Sequence, residues 1–228
     1  MTKSENQSTC TYTCLPGSAP PVDGGNVKVL VIVEGTNDIE FLRRISRMLH
    51  THDSAVPDLA DMERRGQLIF LPTGGVISLW ARRLEPLGLP EFHLLDHEVP
   101  PETDLRRAAA ELINARNGCR AVLTQKRSLE NYLHSDALCA AGGPEVDFDD
   151  FDPLPELVAK KLYVQEVQKI PWELLPRRTR KRQCHRAKRW LNKCAVEHMT
   201  PQLLASRDSD GEIVSWLATI VRLADGIL

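Results

Sequence analysis

Glu34 with Asp38, Asp96 with Glu98, and Glu130 are acidic residues that each follow a short apolar run in the sequence. Carboxylates that meet in one cleft repel one another, and a hard divalent cation such as Mg²⁺ neutralises them because it takes oxygen ligands. Such an ion polarises a phosphoryl oxygen and lowers the pKa of a bound water, and two ions about 4 Å apart stabilise both attacking and leaving oxygens. The chemistry indicated is phosphodiester hydrolysis. The alternative is that these acids cap helices or face solvent. The two readings divide on whether the strands that carry the acids are neighbours.

The elements that must position them are legible. Val29-Leu30-Val31-Ile32-Val33 is a continuous apolar run, the pattern of a parallel strand covered on both faces. It delivers Glu34 to the carboxyl edge, where open α/β sheets bind ligands. Gly35 suits the sharp exit, and Asn37 with Glu40 three residues later forms a capping-box pattern. A helix then places Ile39, Leu42, Ile45 and Leu49 on one face. Leu68–Leu71 reads as a second strand, with Pro72-Thr73-Gly74-Gly75 as its exit loop into a helix through Trp80 and Leu84. A third strand, Glu91–Leu95, delivers Asp96-His97-Glu98, and alternation sets Asp96 and Glu98 on one side if the chain stays extended through His97. Leu105, Ala108, Ala109, Leu112 and Ile113 predict an amphipathic helix over 102–117 with Gly118 as C-cap, and a fourth strand follows at 120–124. Strand and helix alternate, so the expected class is α/β with a mostly parallel sheet flanked by helices. Beyond Leu133 the pattern is a helical C-terminal extension, with helices over 154–170, 180–198 and 212–224.

The chain has 228 residues, enough for one α/β domain with appendages. The expected division is a Ser/Thr/Gly/Pro-rich leader and linker at 1–26, an α/β domain at 27–134 and a helical region at 135–228. A net charge of −2 conceals an acidic stretch, Glu145–Glu156, ahead of a basic run from Arg177 to Lys193. Arg180, Lys181, Arg182, Arg186 and Arg189 in that run suit a nucleic-acid backbone, giving affinity that falls with salt; the alternative is intramolecular pairing with the acidic stretch. Six cysteines with no charged-then-apolar leader argue against a secreted disulfide framework and for the cytoplasm. Cys184, His185, Cys194 and His198 match no standard zinc spacing, and Cys10 and Cys14 make no metal site of their own. No apolar segment approaches the roughly 20 residues that span a bilayer, so no membrane partner is expected.

The segments Val31–Leu42 (VIVEGTNDIEFL), Leu94–Glu98 (LLDHE), Lys126–Leu133 (KRSLENYL) and Trp190-Leu191-Asn192 through Asp210–Leu217 together resemble the TOPRIM domain of the overcoming-lysogenization-defect (OLD) family of nucleases. The resemblance runs from about Val27 to the C-terminus and implies a TOPRIM-like, Rossmann-like fold. It also implies a DNA endonuclease or nickase using Mg²⁺ or Mn²⁺, with two ions held by Glu34, Asp38, Asp96 and Glu130. Glu98 stands where the family has a second aspartate; it keeps the charge with one more methylene and is counted with the metal ligands, through a shifted position or a water. By the same resemblance Glu34 and Lys188 are the catalytic candidates, with Lys126 as runner-up to the lysine. Larger members carry an ABC-type ATPase, yet no Gly-x-x-x-x-Gly-Lys-Ser/Thr loop occurs in this sequence. The expected partner is DNA; either the chain works as a stand-alone nuclease, or a separate ATPase chain acts with it, or it is a remnant whose catalytic pair has drifted, and the resemblance implies a setting of phage or plasmid defence. The alternatives are a TOPRIM module that binds nucleic acid without hydrolysis, or an RNA-processing TOPRIM nuclease.

Overall fold

A computed structural model describes residues 27–74, 77–165 and 170–228. The leader, Gly75 of the second exit loop, and residues 166–169 of the helix expected over 154–170 lie outside the described residues. Four parallel strands, β1 (Val29–Val33), β2 (Leu68–Pro72), β3 (Glu91–Leu95) and β4 (Cys119–Leu123), form one sheet in the order β2-β1-β3-β4. The expected strands are therefore all present and all parallel. β1 and β3 are fully buried along their length; β1 is accordingly apolar throughout, while β3 buries Glu91 and His93 as a pair 2.8 Å apart.

The helices are α1 (Thr36–His52), α2 (Leu59–Arg64), α3 (Ile77–Trp80), α4 (Glu102–Asn114), α5 (Ser135–Ala140), α6 (Leu154–Gln165), α7 (Arg177–Lys193), α8 (Pro201–Arg207) and α9 (Glu212–Ala224). On one face of the sheet, Val29, Val31, Val33, Phe92 and Leu94 share a core with Phe41, Leu42 and Ile45 of α1 and Ile213, Trp216, Leu217 and Ile220 of α9. That same core takes in Leu191 of α7 and Leu133, Leu138, Leu154 and Val158. A smaller core on the other face joins Leu95 and Ala121 to Ala81 and to Ala109, Ala110 and Ile113 of α4.

Three expectations are corrected. α1 starts at Thr36 with Gly35 as N-cap, so Asn37 and Glu40 do not form the capping box. Asp38 takes the inner position instead, its Oδ2 accepting the Gly35 N–H at 2.7 Å, while Glu40 pairs with Arg43 and Arg44. α4 buries Thr103, Ala109, Ala110 and Ile113 but exposes Leu105 and Leu112. Apolar spacing located this helix yet misassigned part of its inward face. Finally, the extended chain stops at Leu95: Glu98 takes a left-handed backbone with φ 55°, so Asp96 and Glu98 do not share a side.

The strand order places the topological switch point between β1 and β3, because the chain moves to one side after β1 and to the other through β3. A crevice opens at the carboxyl ends of such a pair, and ligands of open α/β sheets bind there.

Candidate active site

Glu34 leaves β1 and Asp96 leaves β3, and the Asp96 N–H donates to Glu34 Oε1 at 3.1 Å, tying the two exits together across the switch point. Asp38 joins them from the first turn of α1. Glu130 comes from a 3-10 turn, Leu129–Tyr132, that follows β4. The Leu129 N–H in that turn donates to Asp96 Oδ1 at 3.3 Å. Asp38, Asp96 and Glu130 are all buried.

Lys188 projects from α7 into this group. Its Nζ lies 3.4 Å from Asp38 Oδ1, 3.4 Å from Glu130 Oε1 and 3.9 Å from Asp96 Oδ2. Asn192, one turn further along α7, donates from Nδ2 to Glu130 Oε1 at 2.5 Å, and Ser128 Oγ donates to Glu130 Oε2 at 2.8 Å. Glu34 is held from the other side by Arg106 of α4, whose Nε and Nη2 donate to Oε1 and Oε2 at 2.8 and 2.9 Å. Four carboxylates thus face two cations of the chain.

Burial raises the Asp38 carboxyl to about 6, with Lys188 opposing the rise and Glu130 adding to it. Burial likewise lifts Asp96 well above the ordinary aspartate value against the pull of Lys188. For Lys188, burial disfavours the ammonium, but Glu130, Asp38 and Asp96 overcome this and hold its pKa well above the usual lysine value. Lys188 is accordingly a fixed positive charge.

Among the described residues no three His, Cys, Asp or Glu side chains are arranged to hold an ion as they stand, and the Lys188 ammonium lies among three of the carboxylates. The donor chemistry nonetheless fits a hard cation. All the donors are carboxylate oxygens, and Asp38 Oδ1 is buried without a hydrogen-bond donor. Glu34, Asp38, Asp96 and Glu130 are the residues that could hold Mg²⁺ or Mn²⁺.

Of the residues named from sequence, Glu34, Asp38, Asp96, Glu130 and Lys188 come together. Glu98 does not join them: its left-handed backbone directs the carboxylate to Arg127, with Nε at 3.5 Å. Lys126 pairs with Asp150 at 2.6 Å and lies over the Tyr132 ring. Lys181, Arg182, Arg186 and Arg189 are exposed on α7, while Arg180 is half-buried. Part of the acidic stretch is engaged away from α7. Asp150 pairs with Lys126 and Arg207, and Asn131 Nδ2 donates to the carbonyls of Asp149 and Asp152. Cys184 and Cys194 are free thiols. Sequence reasoning missed Arg106, Asn192 and Ser128 as site residues. Asn192 and Ser128 lie inside segments that carry the family resemblance, whereas nothing local distinguishes Arg106 from its neighbour Arg107.

Fold and site together define a class: a parallel α/β domain whose switch point carries a buried acidic cluster set around a lysine. The sequence matches no family model and no curated protein. Among solved structures the chain is similar to the C-terminal region of the OLD protein of Xanthomonas campestris pv. campestris. In the iodine-phased structure the TM-score is 0.42 at 12% identity, covering 85% of this chain and 97% of that one. In the platinum-phased structure it is 0.39 at 16% identity, covering 85% and 95%.

Proposed function

We propose that this chain is a divalent-metal-dependent nuclease of the TOPRIM type, hydrolysing DNA phosphodiester bonds as an endonuclease or nickase. The observation that carries this reading is the gathering of Glu34, Asp38, Asp96 and Glu130, from three separate segments, around Lys188 at the sheet's switch point. Buried carboxylates in excess of the cations beside them are costly unless a further positive charge enters. Mg²⁺ or Mn²⁺ supplies that charge when bound, together with Lewis-acid activation of water and phosphoryl group. Glu34, Asp38, Asp96 and Glu130 are its ligands in this proposal. Lys188, a permanent cation held by its neighbours, stabilises the charge that grows on the phosphoryl oxygens. Lys181, Arg182, Arg186 and Arg189, with Arg180 behind them, bind backbone phosphates and set register without reading sequence. RNA is the alternative substrate of the same site.

The test is nicking of supercoiled plasmid by purified protein with Mn²⁺. Glu34→Ala should abolish it while circular dichroism stays native, and equal nicking by both proteins would overturn the assignment. A second reading, a nucleic-acid-binding or regulatory module without hydrolysis, is favoured by two observations. Arg106 already neutralises Glu34 bidentately, and Glu98 is paired with Arg127 away from the cluster. Titration calorimetry separates the two: Mn²⁺ binding that Glu34→Ala and Asp96→Asn both remove favours the nuclease, and no heat at millimolar Mn²⁺ favours the module.

A further inference from the structure

We infer that Arg106 is a phosphodiester-binding residue, stored against Glu34 until a nucleic-acid backbone enters the crevice. The inference rests on the reading of the site as one for nucleic-acid phosphate and adds a residue that this reading does not contain.

The Arg106–Glu34 contact is a fork, with Nε and Nη2 each meeting one carboxylate oxygen. A phosphate presents two oxygens in much the same way, so a guanidinium that fits one fits the other. Position supports an exchange of partners. Arg106 and Glu34 keep 12% and 15% of their side-chain surfaces exposed, so the pair lies at the rim of a cluster whose other carboxylates are buried. Glu34 does not depend on the arginine for its placement, because the Asp96 N–H also donates to it from β3. Against burial, Glu34 first, then Glu98 and Asp96, favour the charged form of the guanidinium. Contrast with Arg116 is informative. That arginine also forks a carboxylate, but its partner Glu91 is wholly buried beside His93 at the amino end of β3, and Nη1 is additionally fixed by the Ala81 carbonyl. Arg116 is a core contact; Arg106 sits at the opposite, ligand-binding edge.

If Glu34 stores Arg106, neutralising Glu34 releases it for phosphate even without metal. The measurement is fluorescence anisotropy of a labelled ten-nucleotide oligothymidylate in EDTA across a salt series. Glu34→Gln should bind about tenfold tighter than wild type, the scale of one charged hydrogen-bonded contact. Its log K against log[salt] slope should steepen by about 0.7, the increment of one phosphate contact on a single strand. Glu34→Gln combined with Arg106→Lys keeps the charge but loses the fork, and should surrender most of the tenfold gain. Glu34→Ala carries the same expectation as Glu34→Gln should the amide disturb folding. Equal affinity and slope for wild type and both Glu34 variants would overturn the inference. So would a gain that persists undiminished with Arg106→Lys, which would reflect net charge alone. These measurements contain no divalent ion, so a failure of the nuclease reading in the plasmid test is distinguishable from a failure here.

Discussion

Lys188 is the residue on which the acidic cluster depends, since among the described residues it is the one cation found within 4 Å of three of the carboxylates. Removing one partner of a buried ion pair leaves charge uncompensated, which costs about 3–5 kcal/mol. Lys188→Met should therefore lower thermal stability markedly at pH 7.5, and the deficit should shrink towards pH 4 as the carboxyls protonate. A melting curve that falls equally at both pH values would point to lost packing instead. Asp38 gives the complementary expectation. Its folded pKa of about 6 lies above its ordinary 3.8, so the folded state favours the protonated form. The stability it contributes is full below about pH 4 and is lost as pH rises through 6. In the metal-free protein Asp38→Asn should then raise the melting temperature at pH 7.5, by the equivalent of roughly 2–3 kcal/mol at most, and should have no such benefit at pH 4. Differential scanning calorimetry at the two pH values checks it. A destabilised Asp38→Asn at pH 7.5 would mean that the Lys188 contact outweighs burial.

α4 separates what periodicity can tell from what it cannot. Ile113 is fully buried and Leu112 beside it is half exposed, so Ile113→Ala should cost about 2–5 kcal/mol in denaturant unfolding while Leu112→Gln stays within about 0.5 kcal/mol. Equal losses would mean that the helix is rotated from the face described. Gly143 makes a similar point for α7: a Cβ there would lie 2.2 Å from the Trp190 ring and 2.9 Å from the Leu138 carbonyl, so Gly143→Ala must displace the ring and should cost about 1–3 kcal/mol. β1 was legible because a strand buried on both faces has no polar side to disguise it, and β2, β3 and β4 because short apolar runs bounded by turn signals mark them. Their adjacency was not, since a strand's sequence says that it is covered without saying by which neighbour. α2, α5 and α8 went unread because helices of six or seven residues owe their existence to caps such as Asp58 and Thr200 and to docking. Glu98 was misplaced by assuming two more residues of extended chain. Arg106 was invisible because its meaning lies in Glu34, 72 positions away.

Taken whole, the molecule joins its helical C-terminal region to the sheet through the shared core and also through polar contacts at and beside the site. α7 brings Lys188 and Asn192, Arg207 of α8 donates to the Asn131 carbonyl at 2.8 Å, and the Tyr132 hydroxyl donates to Glu212 at the start of α9. Charge is distributed to match. Asp150 of the acidic stretch is engaged by Lys126 and Arg207, while Lys181, Arg182, Arg186 and Arg189 of α7 face solvent. A chain with net charge −2 thus presents one cationic helix whose inward side delivers Lys188 to the acidic cluster. Backbone phosphates bound on the outer side would lead towards that cluster. Replacing Lys181, Arg182 and Arg189 together by glutamine preserves helix propensity and disturbs no core contact, so stability should hold. Duplex binding should weaken, and the log–log salt slope between 50 and 200 mM should flatten by about 2–3 if each residue meets one phosphate. Filter binding on the full chain measures this. An unchanged slope would mean that the duplex approaches the cluster by a route other than α7, leaving Lys188 to act from a helix that nucleic acid does not touch.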